Sequence, residues 1–350
     1  MSGRVTRTEV RFPSGAETLA GDLVLPAGDG PHPALLTVAG TGPQNRYGDQ
    51  VRPDGTVEPH PRHRWVGDRL AAAGIAQLCW DKRGVQGSTG GPRAAGDPPG
   101  DRDAYTSPLT DVDDLLAALA YLDGHPAIDS RRITVMGTSA GVYFACLAAA
   151  RTTIPAGYIL WGGVHLPIAE LAKAIYDLPL DYAARGKREH DWLLANNPGY
   201  YDLARQWPNE LAAALAGRDV YEWEDERGSH TIYLERLKQE IRFAYPEQFA
   251  NIRTPVMVIH GDRDLNVDVS EAHAAAAALR AAGNPDVTLA IIPGADHGMH
   301  VAPADLPEDE RMRDRLKRHR DDPYSEYFIG SVIGWIRDTW VRYPSGTRAG

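Results

Sequence analysis

Six short apolar runs, rich in β-branched residues, recur along this 350-residue chain and constrain its fold more than any other feature. They are nearly continuously apolar, as strands covered on both faces of a sheet are. The runs occupy 34–40, 75–81, 133–137, 158–163, 256–261 and 287–294. Helical patterns lie between or after them, at about 64–73, 110–122, 140–151, 270–282 and 325–341. This alternation predicts an α/β fold with a mostly parallel central sheet flanked by helices.

Two intervals interrupt the alternation. Near the N-terminus, "TEVRFPSG" and "ETLAGDLVLPAG" alternate polar with apolar residues around Gly15, which predicts an antiparallel hairpin at an edge of the sheet. After the strand predicted at 158–163, which is the sixth when the two hairpin strands are counted, a long segment shows no strand pattern and contains amphipathic helical segments instead. We therefore predict one α/β domain, formed by 1–163 and 252–350, with a helical insertion over 164–251.

Composition excludes several classes of partner. The chain carries 47 acidic and 37 basic residues, a formal charge of -10, and no basic block with interleaved aromatics, so nucleic acid is not an expected partner. Its two cysteines, Cys79 and Cys146, lie in apolar segments, which favours burial over a disulfide or a metal site. The first residues lack the apolar stretch of a signal peptide, and no segment approaches the ~18 apolar residues that span a bilayer. We expect a cytoplasmic protein that does not bind membranes.

A single serine, Ser139, lies in the pentapeptide "GTSAG", between an apolar run and an Ala-rich helical segment. In a Gly-x-Ser-x-Gly turn that follows a strand and precedes a helix, the serine lies at a strained bend, and the glycines let neighbouring backbone approach. The helix N-terminus adds N–H donors near the serine oxygen. A serine in a turn is often only a helix N-cap, but the strand-turn-helix context favours a nucleophile.

A serine nucleophile needs a base and an acid to activate it. Downstream, "HGDRDLNVD" and "PGADHGMH" each follow a predicted strand, so acidic residues and His297 lie on loops at the carboxyl ends of strands, where α/β proteins form their sites. The first loop offers three acids, Asp262, Asp264 and Asp268. The order serine, acid, histidine along the chain is the one typical of α/β-hydrolases.

The segments "VAGTGPQNR", "WDKRGVQGSTGG" and "GTSAG" resemble the α/β-hydrolase superfamily, in particular its dienelactone-hydrolase-like and esterase-like serine hydrolases. The resemblance covers about 1–163 and 252–345. Two positions depart from it: Ala39 stands where many relatives have His, and Thr138 replaces the common His before the nucleophile. Because neither position transfers a proton, these departures bear on the substrate and not on the mechanism.

The resemblance implies a role for each site residue. Ser139 would attack the acyl carbon, His297 would act as general base and then general acid, and Asp264, in the Gly-x-x-Asp arrangement, would fix the imidazole tautomer. The backbone N–H groups of Thr41 and Ala140 would form the oxyanion hole. No cofactor and no metal ion is implied.

The implied reaction is hydrolysis of a carboxylic ester or thioester through an acyl-enzyme, with the insertion acting as a lid. The insertion is rich in Trp and Tyr, which favours an apolar or aromatic acyl substrate, although packing of the lid on the core explains the same rings. Transfer of the acyl group to an amine or alcohol, or cleavage of a C–C bond, would use the same three residues. A non-catalytic receptor with a hydrolase fold is an alternative from a different class. The sequence does not identify the substrate, the acyl acceptor or the oligomeric state.

Other polar residues near these motifs have simpler explanations. Structural roles are favoured for His260, His273 and His300, because the sequence offers no second nucleophile from which they could accept a proton. Asp81 and Arg83 in "WDKRG" are expected to brace backbone near the site as a paired group. Gln44, Asn45 and Arg46, which end the motif "VAGTGPQNR", could contact substrate, but a role as turn formers explains them equally well.

Overall fold

The computed structural model describes residues 4–51, 55–90, 106–163, 165–225, 228–242, 245–301, 303, 306–316 and 322–344. The strands of the central sheet are β1 Thr6–Ser14, β2 Glu17–Leu25, β3 His32–Val38, β6 Ala76–Trp80, β7 Ile128–Thr138, β8 Gly157–Trp161, β11 Val256–Gly261 and β12 Val287–Ile292. Four further strands form two small hairpins: β4 Gln50–Val51 with β5 Val57–Glu58, and β9 Val220–Asp225 with β10 Gly228–Tyr233.

The central sheet has eight strands in the order β1-β2-β6-β3-β7-β8-β11-β12. From β6 to β12 all neighbours are parallel, whereas β1 and β2 pair antiparallel and β2 pairs antiparallel with β6. The predicted mostly parallel sheet and the N-terminal hairpin at its edge are therefore confirmed. Because β7 lies between β3 and β8, loops from both neighbours border the turn that follows β7.

Eleven helices occur in the described residues. They are α1 Arg62–Ala72, α2 Pro108–Asp123, α3 Gly141–Ala149, α4 Ile168–Ala184, α5 Lys187–Asn196, α6 Pro198–Leu215, α7 Glu235–Ile241, α8 Tyr245–Gln248, α9 Val269–Ala281, α10 Glu308–Leu316 and α11 Glu326–Arg342. The five helices that the sequence predicts between or after strands are α1, α2, α3, α9 and α11. In the part of the chain that the structure describes, no helix combines the length and the apolar character needed to cross a membrane.

Helices cover both faces of the sheet. Buried side chains of α2, α3 and α9 pack on one face, and those of α1 and α11 pack on the other. Successive strand residues point to opposite faces, so Leu36 joins the first cluster while Leu35 joins the second. Burial on both faces explains why these strands are almost continuously apolar in the sequence.

The expectation that the insertion contains no strand is wrong. Between β8 and β11 the chain forms α4 to α8, but it also forms the β9–β10 hairpin, in which Trp223 pairs with His230 and Tyr221 with Ile232. The alternation of Tyr221 and Trp223 with Glu222 and Glu224 is a strand pattern, but half of the residues in the segment are charged, unlike those of the central strands. The segment "TIYLERLKQEIRFAY" thus begins as a strand, and α7 begins only at Glu235.

A buried ion network anchors the loop after β3 to the sheet. The guanidinium of Arg46 binds Asp81 (2.7 Å) and Asp22 (2.7 Å), and its backbone N–H also donates to Asp81 (2.8 Å). The Asp81 side chain is fully buried, and it accepts a further bond from the N–H of Gly87 (3.1 Å). Asp81 thus braces backbone, as expected, whereas Arg46 is a central ion-pair partner and more than a turn former.

Replacing Arg46 with Met tests this anchor. The substitution leaves buried Asp81 without its cation and Asp22 with Arg7 alone (3.5 Å), so we expect the free energy of unfolding to fall by about 3–5 kcal/mol. Urea unfolding followed by tryptophan fluorescence measures the change. Arg11→Met is the control, because the exposed Arg11–Glu9 pair should contribute no more than about 1 kcal/mol. Equal losses in the two variants would contradict the anchoring role of Arg46.

Candidate active site

The five residues that the sequence predicts for the site all lie beyond the carboxyl ends of strands. Thr41 follows β3, Ser139 and Ala140 follow β7, Asp264 follows β11 and His297 follows β12. Carboxyl ends of parallel strands share one edge of the sheet, which is where α/β folds bind ligands.

Ser139 adopts a strained conformation in the turn between β7 and α3. Its φ is 54°, in the left-handed region that non-glycine residues seldom occupy. The flanking glycines make the turn possible, because a Cβ on Gly137 would lie 2.4 Å from the carbonyl oxygen of Gly141, and one on Gly141 would lie 2.4 Å from that of Val38. The turn therefore requires small residues on both sides of the serine.

The loop after β3 lies directly against this turn. A Cβ on Gly40 would be 2.9 Å from the carbonyl oxygen of Thr138 and 3.1 Å from Cβ of Ser139. Thr138, one of the two departures from the resemblance, donates its hydroxyl to the carbonyl of Val38 (3.1 Å) and so ties β7 to β3. These contacts hold the peptide that precedes Thr41 beside the serine.

Asp264 is a buried carboxylate with hydrogen-bond donors around both oxygens. Its Oδ1 accepts from the backbone N–H groups of Asn266 (2.7 Å) and Val267 (3.0 Å). Its Oδ2 lies 2.6 Å from Nδ1 of His297. Because an ionised carboxylate only accepts, Nδ1 of His297 carries the proton and Nε2 is left as the basic nitrogen.

The electrostatic balance keeps Asp264 ionised. Burial would raise its pKa, but the electrostatic interaction and hydrogen bond with His297, the interaction with His260 and the N–H of Val267 outweigh burial and lower it below the ordinary value. Asp264 therefore remains charged at neutral pH, where it orients the imidazole of His297. A carboxylate beside a general base requires this property.

His260, for which the sequence favours a structural role, also lies against this carboxylate. It is fully buried, and its Nε2 lies 2.9 Å from the carbonyl oxygen of Val267 and 3.3 Å from Oδ2 of Asp264. Since a carbonyl can only accept, Nε2 of His260 carries the proton. Burial lowers the pKa of His260, against the attraction of Asp264. The neutral imidazole thus donates to Val267 and lies beside the carboxylate that His297 contacts.

The other acids on this loop have structural partners. Asp262 accepts from the N–H of Gly294 (2.7 Å), and Asp268 caps α9 through the N–H of Ser270 (2.8 Å). The close approach of the two loops depends on Gly261, where a Cβ would lie 2.2 Å from the carbonyl oxygen of Ala295. The structure therefore brings Asp264, and not its two neighbours, to His297.

Ser139 and His297 both adjoin the end of β8. The N–H of Ser139 donates to the carbonyl of Trp161 (2.9 Å), and the indole N–H of Trp161 donates to the carbonyl of His297 (3.1 Å). A Cβ on Gly162 would lie 3.0 Å from Cε1 of His297, so glycine leaves room for the ring. Among the described residues no hydrogen bond joins Oγ of Ser139 to His297; such bonds often form only when substrate is bound.

The remaining candidates lie outside this arrangement. His300 stacks on Tyr324 with ring centroids 4.3 Å apart, and His273 is exposed on α9. Cys79 and Cys146 are buried, and burial raises the pKa of both thiols, so neither is an activated nucleophile. Within the described ranges, no group of three or more His, Cys, Asp or Glu side chains is placed to hold a metal ion.

Comparisons with known proteins identify the family of the chain. The family model described as serine aminopeptidase, S33, matches residues 54–303, which is more than half of the chain. No curated protein matches the sequence.

Several solved structures share the fold. Est1E from Butyrivibrio proteoclasticus, solved with ferulic acid bound, is 15% identical with a TM-score of 0.56, over 96% of this chain and 99% of that one. The esterase Pf2001 from Pyrococcus furiosus is 15% identical with a TM-score of 0.55, over 97% and 90% of the two chains. A hypothetical protein from Pseudomonas aeruginosa is 17% identical with a TM-score of 0.55, over 97% and 95%. At these identities the likeness shows the fold, which is that of the α/β hydrolases.

The buried state of His260 predicts how stability depends on pH. Its folded-state pKa is lowered, so below about pH 6.5 the unfolded chain binds a proton that the folded chain resists, and stability falls as pH falls, by at most about 1.4 kcal/mol per pH unit for each such group. His63 acts in the same direction, since burial holds its pKa well below the usual value. His260→Gln removes one titrating group, so urea unfolding between pH 7.5 and 5.5 should show a shallower decline than in the parent.

His273→Gln, at an exposed position of α9, is the control and is expected to follow the parent curve. A decline in His260→Gln as steep as the parent's would show that the folded protein protonates His260 as readily as the unfolded chain does.

Proposed function

Because this chain belongs to the serine aminopeptidase S33 family of α/β hydrolases, we propose that it cleaves a carboxylic ester or thioester through a covalent acyl-enzyme on Ser139. One observation supports this most strongly: Nδ1 of His297 lies 2.6 Å from the buried carboxylate of Asp264, at the same edge of the sheet as a serine held in a left-handed turn. A buried Asp–His pair beside a strained serine is an arrangement that can activate the serine hydroxyl for acyl transfer.

The proposed chemistry follows from the tautomer of His297. With the proton on Nδ1, Nε2 accepts the Ser139 hydroxyl proton as Oγ attacks the acyl carbon. The resulting imidazolium is stabilised by Asp264 and then protonates the leaving group. Water attacks the acyl-enzyme by the reverse sequence of proton transfers and regenerates the serine.

The oxyanion of the tetrahedral intermediate would bind the backbone N–H groups of Thr41 and Ala140. The two peptides are close, since a Cβ on Gly40 would lie 3.7 Å from the nitrogen of Ala140. In the described part of the chain neither N–H donates to another protein group, so both are available to a ligand. Loss of one such donor typically costs about 3 kcal/mol of transition-state stabilisation.

We assign residues 164–251 as a lid over a catalytic domain formed by 1–163 and 252–350; Val164 itself lies outside the described residues. The first residues of the lid are hydrogen-bonded to Glu271 of α9, which accepts from the backbone N–H groups of His165 (3.1 Å) and Leu166 (2.9 Å). A second tie is the buried ion pair between Arg236 of α7 and Asp111 of α2 (2.8 Å). These contacts fix the lid at two points of the α/β core.

An apolar or aromatic acyl group remains the proposed substrate class, but the rings of the lid give it limited support. Trp207 packs on Tyr176 with centroids 5.3 Å apart, and Trp192 packs on Tyr182 at 5.7 Å. The first pair lies in a cluster of lid residues alone, whereas the second packs with Met312 and Leu316 of α10, outside the lid, so packing accounts for both pairs. The likeness to Est1E, whose structure contains ferulic acid, makes hydroxycinnamoyl esters a reasonable first test set.

Acyl transfer to an amine or alcohol, C–C hydrolysis and peptide hydrolysis would use the same residues. They are distinguished by assaying p-nitrophenyl esters, acyl thioesters, amino-acid p-nitroanilides and a diketone in parallel, with and without added nucleophiles. Faster loss of ester with an unchanged rate of acid release on adding an amine would indicate transfer. A receptor would turn over none of these compounds.

Ser139→Ala should remove the pre-steady-state burst of p-nitrophenol and lower kcat by at least about 10³-fold, because the acyl-enzyme can no longer form. Stopped-flow absorbance measures the burst, and circular dichroism checks that the fold persists. Ser130→Ala, near the opposite end of β7, is the matched control and should keep the parent burst. Half of the parent activity in purified Ser139→Ala would show that another group is the nucleophile.

Asp264→Asn should lower kcat by about 10³–10⁴-fold, because an amide at this position no longer enforces the Nδ1–H tautomer of His297. Asp262→Asn makes the same chemical change on the same loop, where the side chain accepts from Gly294 and not from His297. We expect that variant to stay within about tenfold of the parent. A larger loss in Asp262→Asn than in Asp264→Asn would reassign the acid.

A further inference from the structure

We propose that Lys82 is a positioning residue for the oxyanion hole: its ammonium holds the peptide unit between Gly40 and Thr41 in the orientation that directs the Thr41 N–H at the substrate. The inference rests on the proposed function, since it concerns the same site. It starts from a buried cation that the triad chemistry does not use.

Lys82 follows Asp81 in the loop after β6, and its side chain runs into the core. The residue is 3% exposed, which is rare for lysine. Its ammonium donates to the carbonyl oxygen of Gly40 and lies over the ring of Phe144, 5.4 Å from the centroid. Phe144 belongs to α3, the helix that begins after the Ser139 turn. The cation thus lies between the loop after β3 (39–49), here called the oxyanion loop, and α3.

The geometry of the peptide bond converts this contact into control of the oxyanion donor. The carbonyl of Gly40 and the N–H of Thr41 belong to one planar unit and, in the trans form, point in opposite directions. Fixing the carbonyl on one side therefore fixes the direction of the N–H on the other. A charge-assisted hydrogen bond to the carbonyl also polarises the amide and strengthens its N–H as a donor.

The next carbonyl of the loop is held as well. The side-chain amides of Gln44 (2.8 Å) and Gln50 (3.2 Å) both donate to the carbonyl oxygen of Thr41. The peptide units on both sides of Thr41 are thus tied through their carbonyls. Only the unit that contains the Thr41 N–H is tied by a cation, so Lys82 is the residue whose loss should act on that donor.

The test compares Lys82→Met, which keeps an unbranched apolar stem and removes the ammonium, with Lys238→Met. Lys238 is a half-buried lysine of α7 whose ammonium binds Asp219 and Glu235 (2.9 Å each), far along the chain from the oxyanion loop. The readouts are kcat and KM for an ester substrate, and the rate at which a small fluorophosphonate labels Ser139. Phosphonylation places an oxygen in the oxyanion hole whatever the natural substrate is.

We expect Lys82→Met to lower both kcat and the phosphonylation rate by about 10–100-fold, below the ~10²–10³ of a deleted donor, with KM within about twofold of the parent. Lys238→Met should change none of these. A Lys82→Met enzyme that is folded by circular dichroism and labels at the parent rate would overturn the proposal. Equal falls in kcat for both variants would also overturn it, because they would indicate a general loss of stability.

A backbone variant tests whether Lys82 acts through the Thr41 N–H. Replacing the Thr41 amide with an ester, by incorporation of the α-hydroxy acid, deletes this hydrogen. If Lys82 acts through it, Lys82→Met in the ester background should slow phosphonylation by less than about threefold, although it slows the amide enzyme 10–100-fold. Equal factors in the two backgrounds would contradict the mechanism. Lys82→Gln, which is shorter and uncharged, should behave as Lys82→Met and replaces it if the Met variant does not fold.

The design separates this inference from the proposed function. An enzyme that labels at Ser139 but turns over no ester or thioester would refute the proposed reaction and still test Lys82 through the labelling rate. A parent enzyme that is not labelled at Ser139 would overturn both.

Discussion

The buried carboxylate of Asp264 imposes the constraint on which the rest of the site depends. With 1% of its side chain exposed, an ionised carboxylate has to be surrounded by donors, because an unpaired buried charge is very costly. The chain supplies two backbone N–H groups and Nδ1 of His297 as donors, and the imidazole of His260 lies beside them, 3.3 Å from Oδ2. The same carboxylate that fixes the imidazole is thereby the centre around which the loops after β11 and β12 are folded.

Close backbone approach is the second constraint, and it explains the glycines that surround the site. Gly141 lets α3 begin against β3, and Gly40 lets the loop after β3 lie on Ser139. Gly261 lets the loop after β12, which carries His297, approach the loop that carries Asp264. At each position a Cβ would lie within 3 Å of a carbonyl oxygen, and real structures do not tolerate such contacts. The strain of Ser139 is therefore maintained by packing of β3 and of the loop after it, and Lys82 extends this packing to the orientation of a single peptide plane.

Much of this was predictable from the sequence, for identifiable reasons. Continuous apolar runs predict strands buried on both faces, and "GTSAG" between a strand and a helix predicts the Ser139 turn. Choosing Asp264 among three nearby acids needed the resemblance, because only contacts with the histidine loop distinguish it from Asp262. The roles of His260 and Lys82 arise from contacts between elements distant along the chain. The β9–β10 hairpin was missed because β9 is half charged and because the last residues of β10 run almost directly into α7, so that the two read as one amphipathic helix.

The central claim is that Ser139 and the Asp264–His297 pair act as one catalytic unit. Its most direct test is mass spectrometry of enzyme quenched in acid within the first turnover of an ester, followed by mapping of the modified peptide. The account predicts a near-stoichiometric acyl adduct on Ser139 in the parent, and an adduct on the same residue that forms far more slowly in Asp264→Asn. Rapid product release with no adduct, or an adduct on any other residue, would contradict it.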